Sequence, residues 1–220
     1  MDQKEVSTGE AGAYAALIPA AGGVSKVAAV TVAFWVLKVI FTTVGDVSGD
    51  ALSISLGLGY MLALLVALAV FVPLLISQLR ARRFVPWLYW ALILSSATFG
   101  AEISDGMDRA LRWGNPAGTA VLLLCLLVTL AVWFRRRGAI GVCPIGDRRD
   151  ECYYWLAAVF ANSSGSALGD LIEDKLRVGV LGGTAVYAGI AALLLILHYT
   201  RRSGKGLLFW SAFVVTRIPF

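Results

Sequence analysis

Seven apolar runs, most of them as long as a lipid bilayer is thick, dominate the chain. A helix needs ~20 apolar residues to cross a bilayer, so six runs are long enough and the last, at about fifteen residues, is too short. Hydrophobic residues make up 59% of the 220 and charged residues only 15%, whereas soluble domains are ~45–50% apolar. We therefore predict an all-α integral membrane protein with about six full transmembrane helices and a partial seventh. The runs cover about 27–45, 56–77, 85–103, 117–134, 153–169, 178–199 and 206–220.

Lysine and arginine are distributed unevenly between the two ends of these runs. Thirteen lie in the amino-terminal tail and in the loops after the second, fourth and sixth runs, against four in the other loops. Basic residues collect on the cytoplasmic side of membrane proteins, so the amino terminus is predicted to be cytoplasmic and residues 1–26 to form a flexible tail. Because basic loops of this kind face anionic lipids, the net charge of +5 predicts the bilayer as the partner rather than nucleic acid.

Four tryptophans, spaced 55, 65 and 55 residues apart, reveal an internal repeat. In the first three copies a glycine follows the tryptophan by ten residues, a small residue by fourteen and an aspartate by fifteen. Each copy is predicted to be a hairpin of a motif helix and a plain apolar helix, and all copies run parallel about an axis along the membrane normal. The predicted repeats are 27–84, 85–152, 153–205 and an incomplete 206–220. The tryptophans, predicted to anchor the helices at the membrane interface, are Trp35, Trp90, Trp155 and Trp210. The predicted helix-packing residues are Gly45, Gly49, Gly100, Ser104, Gly165 and Gly169.

A stripe of small and polar residues runs along each motif helix. Offsets 7, 8, 11, 14 and 15 from the tryptophan fall within an arc of about 120° on a 3.6-residue wheel. Small residues let helices approach closely and hydroxyls bond between helices, so the stripe is predicted to face the bundle interior. Hard cations prefer such oxygen ligands. The predicted cation ligands are Asp46, Asp50, Asp105, Asp170, Thr43, Thr98, Asn162 and Ser163, and the internal counter-charges are Lys38 and Arg217.

These repeated aromatic–tryptophan, glycine and glycine–aspartate patterns resemble a family of uncharacterised bacterial membrane-anchored proteins built from four tandem two-helix repeats, each with a tryptophan. The resemblance covers about residues 30–220. It implies a bacterial inner-membrane location and eight helices, and it implies no activity. Repeat two departs from the pattern with "GAEISD", where Glu102 is one position off Asp46, and repeat four stops at Phe220. A missing fourth repeat or a second subunit in a homo-oligomer is the expected completion.

Two functions fit these features. The first is a transporter or channel for a cation, predicted to be a divalent metal, with an acidic outward-facing site. The alternative is a structural, sensor or assembly protein whose Gly-Asp pairs only end one helix and cap the next. Catalysis is not predicted, because the chain carries none of the usual nucleophile, metalloprotease or phosphate-loop motifs. No cofactor is predicted other than the bound divalent cation.

Overall fold

The computed structural model describes residues 25–138, 144–176, 189–190, 192–193, 196–197 and 205–217. This part of the chain is all-α and contains six helices, which alternate between motif helices and plain helices as far as α5. Their bounds are α1 Val32–Asp50, α2 Tyr60–Arg80, α3 Pro86–Asp105, α4 Asn115–Arg137, α5 Arg148–Leu176 and α6 Lys205–Val215. Of the predicted crossing over 178–199, only residues 189–190, 192–193 and 196–197 are described, and they are helical. Most of the predicted tail lies outside the described residues.

Three of the described helical segments are long and apolar enough to cross a membrane. They are α1 with its extension to Ser55, α2 and α4. The motif helix α3 is less apolar because it carries serine, threonine and glutamate, and these side chains are buried between helices. Length and composition therefore support three of the six predicted crossings, and the other three remain predictions.

The start of each motif helix and the turn at its end follow from local sequence. The Thr31 hydroxyl accepts a hydrogen bond from the Phe34 N–H at 3.2 Å and caps α1, and α3 begins with Pro86, a residue suited to a first helical turn. Both helices then run into a π-helical turn, over Ala51–Ser55 and Gly106–Ala110. A glycine with positive φ precedes the returning helix in each hairpin, Gly59 at 72° and Gly114 at 80°, a conformation that costs glycine little.

These turns correct the helix-capping interpretation of the Gly-Asp pairs. Asp50 and Asp105 both keep right-handed helical backbone angles, and neither side chain makes a capping hydrogen bond. In repeat three the helix α5 continues past Gly169 and Asp170 to Leu176. At Asp50 and Asp105 the α-helix passes directly into a π-helical turn, and at Asp170 the α-helix continues, so helix capping does not account for the aspartates.

A closed ring of eight aromatic side chains joins the four motif helices at one end of the bundle, which we call the aromatic end. The aromatic residue before each tryptophan packs on the tryptophan of the next repeat, and Phe209 of the last repeat packs on Trp35 of the first. The ring centroids are 5.4–5.8 Å apart in the pairs Phe34–Trp90, Tyr89–Trp155, Tyr154–Trp210 and Phe209–Trp35. The four motif helices therefore form a closed, pseudo-fourfold bundle.

The tryptophans lie in the core of the bundle, whereas the sequence predicted that they anchor the helices at the membrane interface. None of the eight ring residues is more than 4% exposed. Because an indole buries a large apolar surface, four of them in one layer fill the aromatic end of the bundle. Trp35, Trp90, Trp155 and Trp210 act as core residues that hold neighbouring repeats together.

Glycines mark the close approach of consecutive motif helices. A Cβ on Gly45 would stand 2.6 Å from the Ala97 Cβ, and a Cβ on Gly100 would stand 2.9 Å from the Asn162 Cβ. In each case the contacted residue is seven positions after the tryptophan of the next repeat. Gly165 meets Arg217, the equivalent residue of repeat four, at 2.6 Å. The three glycines of the motif thus make the same contact in successive repeats.

The plain helices lie outside the motif helices. Helix α2 packs along α3, and α4 packs along α5, so each plain helix covers the motif helix of the following repeat. The face of α1 that carries Val36 and Ile40 is open in the described structure, and these two side chains are 54% and 51% exposed.

Ser25 and Lys26, the last two residues of the predicted flexible tail, are buried in the fold. Lys26 Nζ lies 2.8 Å from Glu151 Oε2, and Gln78 Nε2 donates to Glu151 Oε1 at 2.9 Å. The Lys26 N–H also donates to the Ile145 carbonyl at 2.8 Å. This buried network joins the segment before α1, the end of α2 and the start of α5 beneath the aromatic ring.

Candidate cation site

Three carboxylates collect at the end of the bundle opposite the aromatic ring, which we call the acidic end. Glu102 is the most enclosed of them, with 1% of its surface exposed. It fits between α1 and α3 because residue 49 is glycine; a Cβ there would stand 3.1 Å from Glu102 Oε1. Among the described residues, Glu102 Oε2 has no hydrogen-bond partner. Burying a charged oxygen without a partner is costly, so this atom marks a place where a cation or proton would be stabilised.

The other two carboxylates surround Glu102. Asp50 and Asp105 both lie close enough to act on it electrostatically. Asp50 is exposed, whereas the Asp105 side chain is 14% exposed. Like charges held together resist joint ionisation unless a cation joins them. Two of the three repeat aspartates therefore lie near each other and near Glu102.

Arg109, in the turn after α3, supplies part of the opposite charge. Its Nε lies 3.6 Å from Asp105 Oδ1, and its Nη1 donates to the Tyr60 hydroxyl at 2.9 Å. Burial lowers the pKa of Arg109, but the Tyr60 bond and the carboxylates of Asp105 and Asp170 outweigh burial and raise the pKa. Arg109 therefore stays charged. Its electrostatic interaction with Asp170 also means that the repeat-three aspartate lies near the same end of the bundle.

Sequence reasoning missed Glu102 as a site residue. The repeat alignment placed it one position off Asp46 and treated the difference as a departure from the motif. The signal was present: the repeat puts this position inside a motif helix, where a carboxylate is rare and costly.

Asp46 does not join these carboxylates as a cation ligand. It forms an ion pair with Arg217, which is 1% exposed. Arg217 Nη2 also donates to the Ala97 carbonyl at 3.0 Å, and its side chain packs against Gly165. Arg217 thus touches all three other motif helices, which places its guanidinium on the central axis of the bundle. Arg217 therefore neutralises Asp46, the deepest of the predicted ligands.

Lys38, the second predicted counter-charge, bonds to repeat four instead of to Asp46. Its Nζ donates to the Phe213 carbonyl at 2.7 Å and to the Thr216 hydroxyl at 2.9 Å. The same ammonium lies 4.4 Å from the centre of the Phe213 ring, close enough for a cation–π contact. Lys38 therefore joins α1 to α6 and is fully buried.

The remaining predicted ligands are not assembled into a ring. Asn162 is the one that reaches across helices, donating to the Ser96 hydroxyl at 3.1 Å. The hydroxyls of Thr98 and Ser163 are buried but donate to carbonyls of their own helices, as hydroxyls in helices often do. Among the described residues, no three Asp, Glu, His or Cys side chains are grouped so that they could hold a metal ion. The predicted divalent-metal ligand set is absent from that part of the chain.

Thr43 is a correction to the predicted stripe, since it is exposed and donates to the Val39 carbonyl at 2.9 Å. Its repeat-two equivalent, Thr98, faces α2 and is buried. Thr43, at the same position on α1, lies on the open face. The residue eight positions after each motif tryptophan therefore faces the side that a plain helix covers, and it does not face the bundle axis.

An apolar cavity, open on one side, lies between α1, α2 and α3. Its volume is about 290 Å³. Apart from the hydroxyls of Ser48, Ser95 and Thr98, its walls are aliphatic. The cavity and the carboxylates share the α1–α3 interface.

The fold and the site define a class: a bundle of tandem helical hairpins with membrane-type helices and buried charges at the contacts between repeats. The family described as Repeat of Unknown Function (DUF347) matches three successive stretches, 33–84, 88–139 and 153–203. The chain belongs to this tandem-repeat family. Comparisons with curated proteins and with solved structures find no match.

Proposed function

We propose that this protein crosses the bacterial inner membrane several times and moves a cation across it, taking the cation at an outward-facing site formed by Glu102, Asp50 and Asp105. The observation that carries the proposal is the unpartnered Oε2 of the buried Glu102 beside two more carboxylates. A carboxylate inside a bundle has a high cost unless it serves a ligand or a proton path.

The arrangement along the axis supports a gated pathway rather than an open pore. Beneath the carboxylates, the Asp46–Arg217 pair occupies the axis, and the aromatic ring fills the far end. A cation that leaves the acidic end toward the cytoplasm would meet the Arg217 guanidinium. We therefore assign the opening of the pathway to movement of the Arg217 side chain.

The orientation that this function needs can be tested by thiol labelling. Ala110 and Gly146 are exposed residues at opposite ends of the bundle. In a cysteine-free background, we expect Ala110→Cys to react with an impermeant reagent in intact cells and Gly146→Cys to react only after permeabilisation. The charge bias of the loops gives this direction. The reverse pattern would show that the acidic end faces the cytoplasm.

Cation movement can be measured by electrophysiology on solid-supported membranes that carry the purified protein. We expect concentration jumps of at least one cation to produce a charge displacement, and we expect Glu102→Gln to reduce it at least tenfold because the acceptor charge is lost. Protons and Mn²⁺ are the first probes, since Mn²⁺ tests the divalent-metal form of the proposal. Asp147→Asn, the same chemical change on an exposed residue at the other end, is the control and should have no effect.

A static structural or sensor protein is the second candidate, favoured by the closed axis. It would show no displacement with any cation, and Glu102→Gln would change nothing. That result would reject cation movement.

A further inference from the structure

A stripe of four polar side chains runs along α1, a helix that is long and apolar enough to cross a membrane. The four follow one another at intervals of four residues and are Lys38, Thr42, Asp46 and Asp50. Residues at this interval lie on one face of a helix, ~6 Å apart along it. The stripe therefore extends ~18 Å from the acidic end and stops one turn short of Phe34 in the aromatic ring.

The charge of Lys38 is not matched by a carboxylate among the described residues. Its Nζ donates to the Phe213 carbonyl and the Thr216 hydroxyl, which are both neutral. The neighbouring Arg217, by contrast, is paired with Asp46. With both cations protonated, this level of the bundle therefore carries one positive charge in excess. Burying such a charge is costly, yet Lys38 is fully buried.

The titratable groups on the helices around Lys38 do not supply the missing negative charge. Arg217 lies close enough to repel the ammonium. On α1 itself, Asp46 is ~12 Å farther along the helix and is already paired. The titratable residues of α3 lie in the aromatic ring or at the acidic end, and they are Tyr89, Glu102 and Asp105. A lysine can release its proton, whereas an arginine stays protonated in proteins, so Lys38 is the group at which this excess charge can be removed.

The contents of the bundle axis favour a proton over a metal ion as the moving species. The Arg217 guanidinium and the aromatic ring fill the axis, so a hydrated metal ion would need a wide opening to pass. A proton moves between ionisable and hydroxyl groups and needs no such opening. Ionisable side chains inside membrane helices mark ion pathways and proton relays.

From the unmatched charge of Lys38 and its place on the polar stripe, we propose that the cation moved by this protein is the proton and that Lys38 carries it through the middle of the bundle. This assignment rests on the proposed function and names its substrate. The neutral amine takes up one proton that has entered at the carboxylates, and the resulting ammonium later releases one proton toward the aromatic end. Each cycle returns Lys38 to the neutral amine. The hydroxyls of Tyr89 and Tyr154, 2.6 Å apart in the aromatic ring, lie on the release side.

Two substitutions that fix the charge of residue 38 test this role. Lys38→Arg keeps a permanent positive charge, and Lys38→Gln keeps a neutral hydrogen-bond donor, but neither side chain exchanges a proton as lysine does. In the solid-supported membrane assay with pH jumps, we expect each variant to reduce the proton displacement at least tenfold while the unfolding temperature stays near that of the parent. Lys26→Arg is the matched control, because the Lys26 charge is already paired with Glu151 at 2.8 Å, and it should leave the displacement unchanged.

The two variants also distinguish proton exchange from a structural role. If Lys38 only links α1 to α6, arginine and glutamine both keep a donor for the Phe213 carbonyl, and both variants should displace protons as the parent does. If a fixed positive charge is what the bundle needs, Lys38→Arg should behave as the parent and Lys38→Gln should fail. Either variant, once shown to be folded, overturns the inference if its proton displacement equals that of the parent.

The same assay separates the proton assignment from the function beneath it. If Mn²⁺ gives a displacement that depends on Glu102 while pH jumps give none, cation movement stands and the proton assignment is wrong. If neither protons nor Mn²⁺ give a displacement that depends on Glu102, both proposals are wrong.

Discussion

Arg217→Met should destabilise the protein by about 3–5 kcal/mol, because removing one partner of a buried ion pair leaves the other charge uncompensated. The Arg217 side chain is enclosed between three motif helices, where its guanidinium pairs with Asp46 and donates to the Ala97 carbonyl. The methionine variant would leave both acceptors without that donor. Reversible unfolding by dodecyl sulfate in mixed micelles measures the change in the free energy of unfolding.

The double variant Asp46→Asn with Arg217→Met is the matched test of this explanation. It removes both charges and keeps the same substitution at residue 217, and we expect it to recover most of the lost stability, since neutral replacements of buried pairs are often well tolerated. The control is Arg137→Gln, whose partner Asp150 lies 3.3 Å away in a partly exposed pair; such pairs contribute less than about 1 kcal/mol. A single methionine variant as stable as the parent would show that the axial pair does not hold the repeats together.

Gly165→Ala should prevent α6 of repeat four from packing closely against α5 of repeat three. A Cβ at residue 165 would stand 2.6 Å from the Arg217 Cβ and 2.7 Å from the Val214 carbonyl oxygen. The carbonyl belongs to the backbone, so α6 would have to shift as a whole. Overpacking of this kind costs ~1–3 kcal/mol and more where backbone must move. We expect a loss of unfolding free energy in that range.

Gly118→Ala is the control for that substitution. It lies inside α4, and the nearest atom to its new Cβ is 3.8 Å away, an ordinary contact. Alanine is a better helix former than glycine by up to about 1 kcal/mol, so this variant should be as stable as the parent or more stable. Equal behaviour of the two alanine variants would contradict the close approach of α5 and α6.

The sequence predicted the repeat units and the contacts between them better than it predicted the site. The packing glycines could be recognised because a position that must lack a side chain is glycine in each of the first three copies of the repeat. They are Gly45, Gly100 and Gly165. Thr43 could not be placed, since a helical wheel shows which residues share a face but not which helix covers it. Trp35 could not be placed either, because indole suits both a membrane interface and a core.

The site depends on distances between residues of different helices, which the spacing of residues along the sequence does not give. Asp46 and Asp50 lie one turn apart on α1, yet one pairs with Arg217 and the other lies near Glu102. That division is set by Arg217, which comes from the far end of the chain. Hydroxyl groups were predicted as ligands, but the Thr98 hydroxyl donates to a carbonyl of its own helix. Threonine in a helix can always make this local hydrogen bond.

The closure of the aromatic ring between the first and last repeats sets the order in which the protein can be made. A ribosome makes α1 long before α6, and Lys38 and Phe213, which bond to each other, are 175 positions apart. Until α6 is made, the Lys38 ammonium lies in an apolar helix without its final acceptors, and Trp35 lacks Phe209 beside it. Contacts this distant in the chain form late, so the bundle cannot close before α6 has been made. A chaperone that shelters α1 during this interval would meet a specific need of this topology.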